Sequence, residues 1–173
     1  QAFAYAVGRQ IEKLCAYSDA ARTYGIGHIS EDARRLIDVT RECFFEGIKY
    51  AKEGNHLFDI SSAIGRYASE RGYGVVRDLC GHGIGTNLHE SPEIPNYEQG
   101  RKGVLLKEGM TLAIEPMINM GTWEVEWLDD DWTVVTKDHY LSAHYENTVL
   151  ITKGEPVLLS LSAYGERKQD GEI

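Results

Sequence analysis

Two histidines and two glutamates in this 173-residue chain are placed for chemistry. His82 and His89 lie seven residues apart in Cys80-Gly81-His82-Gly83-Ile84-Gly85-Thr86-Asn87-Leu88-His89-Glu90. An imidazole binds a metal, carries a proton or hydrogen-bonds a carbonyl. The glycines around His82 let the backbone pass close to a ligand. A turn from Gly83 to Asn87 would let both rings face one cleft. Taken alone, the stretch reads equally well as a glycine-rich turn with solvated histidines. Glu115 closes the apolar run Met110-Thr111-Leu112-Ala113-Ile114, and Glu146 leads into Asn147-Thr148-Val149-Leu150-Ile151. A carboxylate in such company is costly to bury without a donor or a cation. One such glutamate usually marks a salt bridge. Two of them, with His82 and His89, make the imidazole and carboxylate set that divalent metals take.

Helices and strands must hold these groups. Ser30 is an N-cap, followed by Glu31 and Asp32 in the first turn. Ala33, Leu36, Ile37, Thr40, Phe44, Ile48 and Ala51 then keep helical spacing up to Gly54. A second helix is predicted from Leu57 to Arg71, with Ile60, Ile64, Tyr67 and Ala68 on one face and Gly72 at its end. After Gly74 the pattern turns to strands: Val75-Val76, then Met110 to Glu115, Trp123 to Trp127, Trp132 to Thr136, Ser142 to Ile151 and Val157 to Leu161. Pro92 and Pro95 mark an extended connection. Asp129-Asp130-Asp131 reads as a solvated hairpin turn, since no calcium-loop spacing follows it. Ala4 to Val7 and Ala20 to Ile26 are short strand candidates, and the tail from Ala163 is polar. Two helices followed by a run of strands is an α+β pattern.

Net charge is −9, against a general binder of nucleic acid or anionic membrane, because phosphate recognition needs clustered Lys and Arg. Three cysteines, Cys15, Cys43 and Cys80, lack metal-ligand spacing and leave one unpaired in any disulfide scheme, which reads as reduced thiols in a cytoplasmic protein. No apolar run has the length of a bilayer span, and the chain opens on Gln1 without a signal-peptide pattern.

From about Asp19 to Leu161 the sequence resembles type I methionine aminopeptidases, members of the pita-bread metallopeptidase family. The motifs that carry the resemblance are Gly81-His82-Gly83-Ile84-Gly85 with His89-Glu90, Gly109-Met110-Thr111 with Ile114-Glu115-Pro116-Met117, Trp132-Thr133-Val134, and Leu141-Ser142-Ala143-His144-Tyr145-Glu146-Asn147-Thr148. The resemblance implies a curved antiparallel sheet with two helices on one face. It implies a metal-dependent aminopeptidase that removes the initiator methionine from nascent polypeptides and peptides, in the cytoplasm and near the ribosome. Two divalent ions (Co, Mn, Fe, Zn or Ni) would supply the nucleophilic water and the Lewis acid. Matched position by position, Asp19, His82, Glu115 and Glu146 would be metal ligands, with Glu115 also a proton relay. His89 would contact the scissile carbonyl, and Leu88 and Trp132 would line the methionine pocket. Two rivals share the fold: an Xaa-Pro dipeptidase, and a metal-free or inactive binding protein.

The sequence departs from the family at its start. The first aspartate ligand belongs eleven residues before Asp19, where Gly8 stands. Residues 1–18 therefore read as an unmatched leader, the product of truncation or of a frameshift, that either runs as a strand beside the one carrying Asp19 or, as the absent family pattern favours, has no defined place in the sheet. Residues 19–162 read as the C-terminal half of the catalytic fold, and 163–173 as a polar tail. The missing aspartate implies a weakened or one-metal site. A half-fold would leave apolar surface uncovered, which implies self-association.

Overall fold

The computed structural model describes the backbone of residues 2–11 and the whole of residues 16–160. Cys15 and the tail from Ala163 lie outside the described residues. Thirteen elements follow one another: β1 (Ala2–Ile11), β2 (Ala16–Gly25), α1 (Glu31–Ile48), α2 (Leu57–Ser69), β3 (Gly74–Val75), β4 (Gly81–Gly83), β5 (Glu90–Ile94), β6 (Thr111–Ile114), β7 (Met117–Asn119), β8 (Val125–Trp127), β9 (Val134–Thr136), β10 (Ser142–Leu150) and β11 (Val157–Leu158). Nine strands form one sheet in the order β1-β2-β10-β6-β4-β5, with β7 and β11 also paired to β10 and β3 to β7. β8 and β9 form a separate hairpin. Every ladder between these strands is antiparallel.

Both helices start where the sequence places them, but α1 ends at Ile48, before Ala51 and Gly54, and α2 at Ser69, short of Arg71. Ser30 Oγ accepts the Ala33 N–H at 3.2 Å and starts α1. The Asp59 carboxylate accepts the His56 N–H at 2.8 Å and starts α2. Leu36, Val39, Cys43 and Phe44 of α1 and Leu57, Ile60 and Ile64 of α2 form one buried cluster with Leu112, Ile114, Ile118, Tyr145 and Val149 from the strands. Burying each such leucine, isoleucine or phenylalanine contributes roughly 1.5–3 kcal/mol. Phe44 and Tyr145 meet at 5.2 Å between ring centroids, which joins α1 to the middle of β10.

Strand alternation then assigns the faces. Leu112, Ile114, Tyr145 and Val149 point to the helices, so Ala113, His144, Glu146 and Thr148 point to the opposite face. Ala21 lies opposite Glu146, and His82 lies opposite Ala113. The helix-free face of the sheet therefore collects Asp19, His82, His144 and Glu146. Ala21 and Ala113 sit among them as small, buried floor residues.

Two expectations are corrected. His82 is not in a loop: it lies in β4, inserted between β5 and β6. That insertion requires the flanking glycines, because a Cβ on Gly81 would collide with the Ala113 carbonyl and one on Gly83 with the Ser91 carbonyl. Residues 2–11 also have a place in the sheet. They form β1, paired with β2 along its length, and Gly8 lies directly opposite Asp19.

Candidate metal centre

Each candidate ligand is held through its backbone. The Asp19 N–H donates to Thr148 Oγ1 at 2.7 Å, and the same hydroxyl donates to the Asp19 carbonyl at 2.9 Å, so β2 is clipped to β10 at this residue. Asn96, fully buried, donates from Nδ2 to the Glu115 carbonyl at 3.0 Å. The Arg22 guanidinium lies 4.0 Å over the Tyr145 ring and donates to the carbonyl oxygens of Ala21 and Glu146. This cation fixes the strand backbone on the helix side and leaves the Glu146 carboxylate on the other. Tyr17 N–H reaches the Gly85 carbonyl at 2.8 Å and ties β2 to the segment after His82. The Glu90 carboxylate accepts the Asn87 N–H at 2.7 Å and folds the 84–90 loop back, so that the His89 ring stands 4.3 Å from that of His82.

The donor atoms converge. One ligand atom from each of Asp19, His82 and Glu146 lies within 4.8 Å of the others, and so does one from each of Glu115, His144 and Glu146. His82 Nδ1–H donates to the Gly83 carbonyl at 2.9 Å, which leaves Nε2 as a bare lone pair. That lone pair faces Glu115 Oε1 at 3.6 Å. His144 Nε2 faces Glu115 Oε2 at 3.3 Å. Glu146 is 2% exposed, and its Oε1 has no hydrogen-bond partner among the described residues. Lone pairs aimed at lone pairs in a buried space repel unless a proton or a cation stands between them.

Titration behaviour has the same cause. Burial, reinforced by the Asp19 charge, pushes the Glu115 carboxyl well above the ordinary carboxylate range. Burial, then the Glu115 and Asp19 charges, does the same to Glu146. Burial also depresses His82 below its usual value and takes His144 down to about 4. At neutral pH these shifts favour neutral imidazoles at His82 and His144 and protonated carboxyls at Glu115 and Glu146. A divalent cation answers all of these features, and the residues present fit one. Its binding should displace protons.

The folded proton affinities of Glu115 and Glu146 are raised, so their contribution is fully present below the ordinary glutamate range and is lost as pH rises through their elevated folded values. His82 and His144 act in the opposite sense, with stability lost as pH falls below the imidazole range. With chelator present, Glu146→Gln should therefore melt higher than the parent at pH 8, by roughly 5 °C. It should show little gain at pH 5, where the parent carboxyl is already protonated. Thermal melts at the two pH values check this.

The structure brings together Asp19, His82, Glu115 and Glu146, with the His89 ring edge-on to that of His82. It adds His144, which in the sequence is only one member of a motif string. Leu88 is half-buried in the loop that carries His89. Trp132 is 86% exposed at the turn of the β8–β9 hairpin. The turn itself is as expected: Asp130 caps it by accepting the N–H groups of Trp132 and Thr133. A groove of about 500 Å³ along α2, lined by Arg66, Tyr73, Arg77, Tyr97 and Trp123, contains none of the metal-site residues. Among the described residues no helix is long and apolar enough to cross a membrane.

The chain is similar to methionine aminopeptidases. A methionine aminopeptidase of Clostridium perfringens is 55% identical over 145 residues, covering 84% of this chain and 58% of that protein. Methionine aminopeptidase 1 of Bacillus subtilis is 48% identical over 142 residues, covering 82% and 57%. The crystal structure of a methionine aminopeptidase from Thermotoga maritima superposes with a TM-score of 0.86 at 43% identity, covering 92% of this chain and 63% of that one. The chain thus spans less than two thirds of the length of these relatives. The profile of metallopeptidase family M24 matches residues 10–153, and the chain belongs to that family.

Proposed function

We propose that this chain is the metal-holding part of an aminopeptidase that removes N-terminal methionine from nascent polypeptides and peptides in the cytoplasm. The observation that carries the reading is the convergence of Asp19, His82, Glu115 and Glu146 on one buried face, with lone pairs that only a proton or a cation reconciles. Kinship with methionine aminopeptidases supports methionine as the residue removed. When bound there, divalent ions supply Lewis-acid polarisation of a carbonyl and a nucleophile at neutral pH.

The side chains have separate tasks. Asp19, His82, Glu115 and Glu146 hold the cation. Glu115, whose proton affinity burial raises and whose proton a bound cation would displace, accepts and passes on the proton of the attacking water. His89 is exposed and edge-on to His82, open to a ligand, and donates a hydrogen bond to the carbonyl oxygen as its negative charge grows. Leu88 and Trp132 receive the unbranched methionine side chain.

The test is release of free methionine from Met-Ala-Ser with added Co²⁺ or Mn²⁺, abolished by chelator, with Ala-Pro as the competing substrate. Faster cleavage of Ala-Pro would replace this reading with an Xaa-Pro dipeptidase. His89→Ala should lower turnover by about 10²-fold, the cost of losing one oxyanion donor, and leave Co²⁺ affinity nearly unchanged. A large loss of Co²⁺ affinity would make His89 a ligand instead.

A further inference from the structure

We propose that His144 is a metal-ligating imidazole, forming with Glu115 and Glu146 a cation position beside the one formed by Asp19, His82 and Glu146. The proposal rests on the metal-site reading above and extends it, because the ligand set implied by the family resemblance does not include His144.

Strand geometry aims the ring. His144 precedes Glu146 by two residues on β10, so both side chains leave the same face. Two bonds to one hydroxyl hold the residue: its N–H donates to Thr23 Oγ1 at 2.8 Å, and that hydroxyl donates to its carbonyl at 3.0 Å. On the other side His144 pairs with Met117 of β7. The backbone is therefore fixed from both neighbouring strands, and the ring is presented from a rigid element.

Chemistry then separates the roles open to it. As a hydrogen-bond donor His144 would serve Glu115, whose Oε2 is 3.3 Å from Nε2. The approach lacks hydrogen-bond geometry, and Nε2 stays buried without a partner among the described residues. As a packing residue it would leave a buried ring nitrogen unsatisfied, which native structures rarely tolerate. As a ligand it satisfies every neighbour. One donor atom each from Glu115, His144 and Glu146 lies within 4.8 Å of the others, the spread of donors around a single ion. Glu146 belongs to both groups, and its two oxygens allow it to serve both positions. Two carboxylates and one imidazole neutralise a divalent ion and suit the borderline metals Co²⁺ and Zn²⁺. His144 thus supplies a donor to the position beside the one that faces Gly8 across Asp19.

Co²⁺ titration of the whole chain, by calorimetry and by visible absorption, tests this with His144→Phe, His144→Gln and His82→Ala. The parent should bind two ions. Both His144 variants should lose one of them, or bind it at least tenfold more weakly, and His82→Ala should lose the other. The glutamine variant keeps a polar side chain of similar reach and covers the case in which phenylalanine disturbs folding. Unchanged stoichiometry and affinity in the His144 variants, with loss in His82→Ala, would overturn the role of His144 and leave the functional reading intact. No Co²⁺ binding by the parent would overturn both.

Discussion

Glu146→Gln is expected to remove tight divalent-cation binding from this chain. Glu146 is the one residue common to both groups of converging donors. It is 2% exposed, so water cannot take its place as a ligand. The nearest guanidinium, that of Arg22, is engaged with backbone carbonyls and leaves the carboxylate free for an ion. Structural metal sites bind with about 10–16 kcal/mol over some four ligands, so one lost ligand costs ~3 kcal/mol, or about 10²-fold. Loss of a ligand shared by two positions should exceed that, approaching 10³–10⁴-fold. Calorimetric titration with Co²⁺ measures it. The same variant should melt higher than the parent in chelator at pH 8 and lower than the parent in excess Co²⁺. This reversal of sign separates a lost ligand from a damaged fold. Co²⁺ affinity within tenfold of the parent would show that Glu146 is not a ligand.

Much of this centre can be read from residue order alone. Helical spacing from Ala33 to Phe44 and from Leu57 to Ala68 identifies both core faces, and Ser30 marks its cap, because local chemistry determines those features. The motif strings place His82, Glu115 and Glu146 because their spacing is specific. His144 needed one further step. In Ala143-His144-Tyr145-Glu146, period two puts the histidine on the face of Glu146 and the tyrosine on the core face. The position of His82 in a strand was hidden by Gly81 and Gly83, which read as turn residues. Their function is close packing of β4 against neighbouring carbonyls, a tertiary demand with no local signature. Arg22, Asn96, Thr23 and Thr148 act through backbone groups far away in sequence, such as Thr148 on Asp19, and no spacing rule points to them. Residues 2–11 carry little apolar alternation of their own.

The pairing of β1 with β2 changes what is expected of position 8. Residues 1–18, read as an unmatched leader, would have no fixed place, and a carboxylate added there would do nothing. In the structure Gly8 is opposite Asp19 in an unbroken ladder from Ala2↔Gly25 to Ile11↔Ala16. Residues directly opposite in an antiparallel pair project to the same face, with Cβ atoms about 4.5–5.5 Å apart. Gly8→Asp should therefore place a second carboxylate beside that of Asp19, in line with Ala113 and His82 farther across the sheet. Without metal the new pair of like charges should destabilise the chain, by roughly 0.2–1 kcal/mol for facing residues. With metal the sign should reverse. An added carboxylate ligand should tighten Co²⁺ at the Asp19 position about 10–100-fold, and release of methionine from Met-Ala-Ser should rise with it. The two measurements are a chelator melt and a Co²⁺ titration of Gly8→Asp against the parent. A ligand acts only if it is held to about 0.5 Å, so the experiment also reports on β1 itself. Unchanged affinity and an unchanged melt would mean that position 8 does not face Asp19. A lower melt in chelator with a tighter Co²⁺ site would place the strand, and the missing ligand, where the register has them.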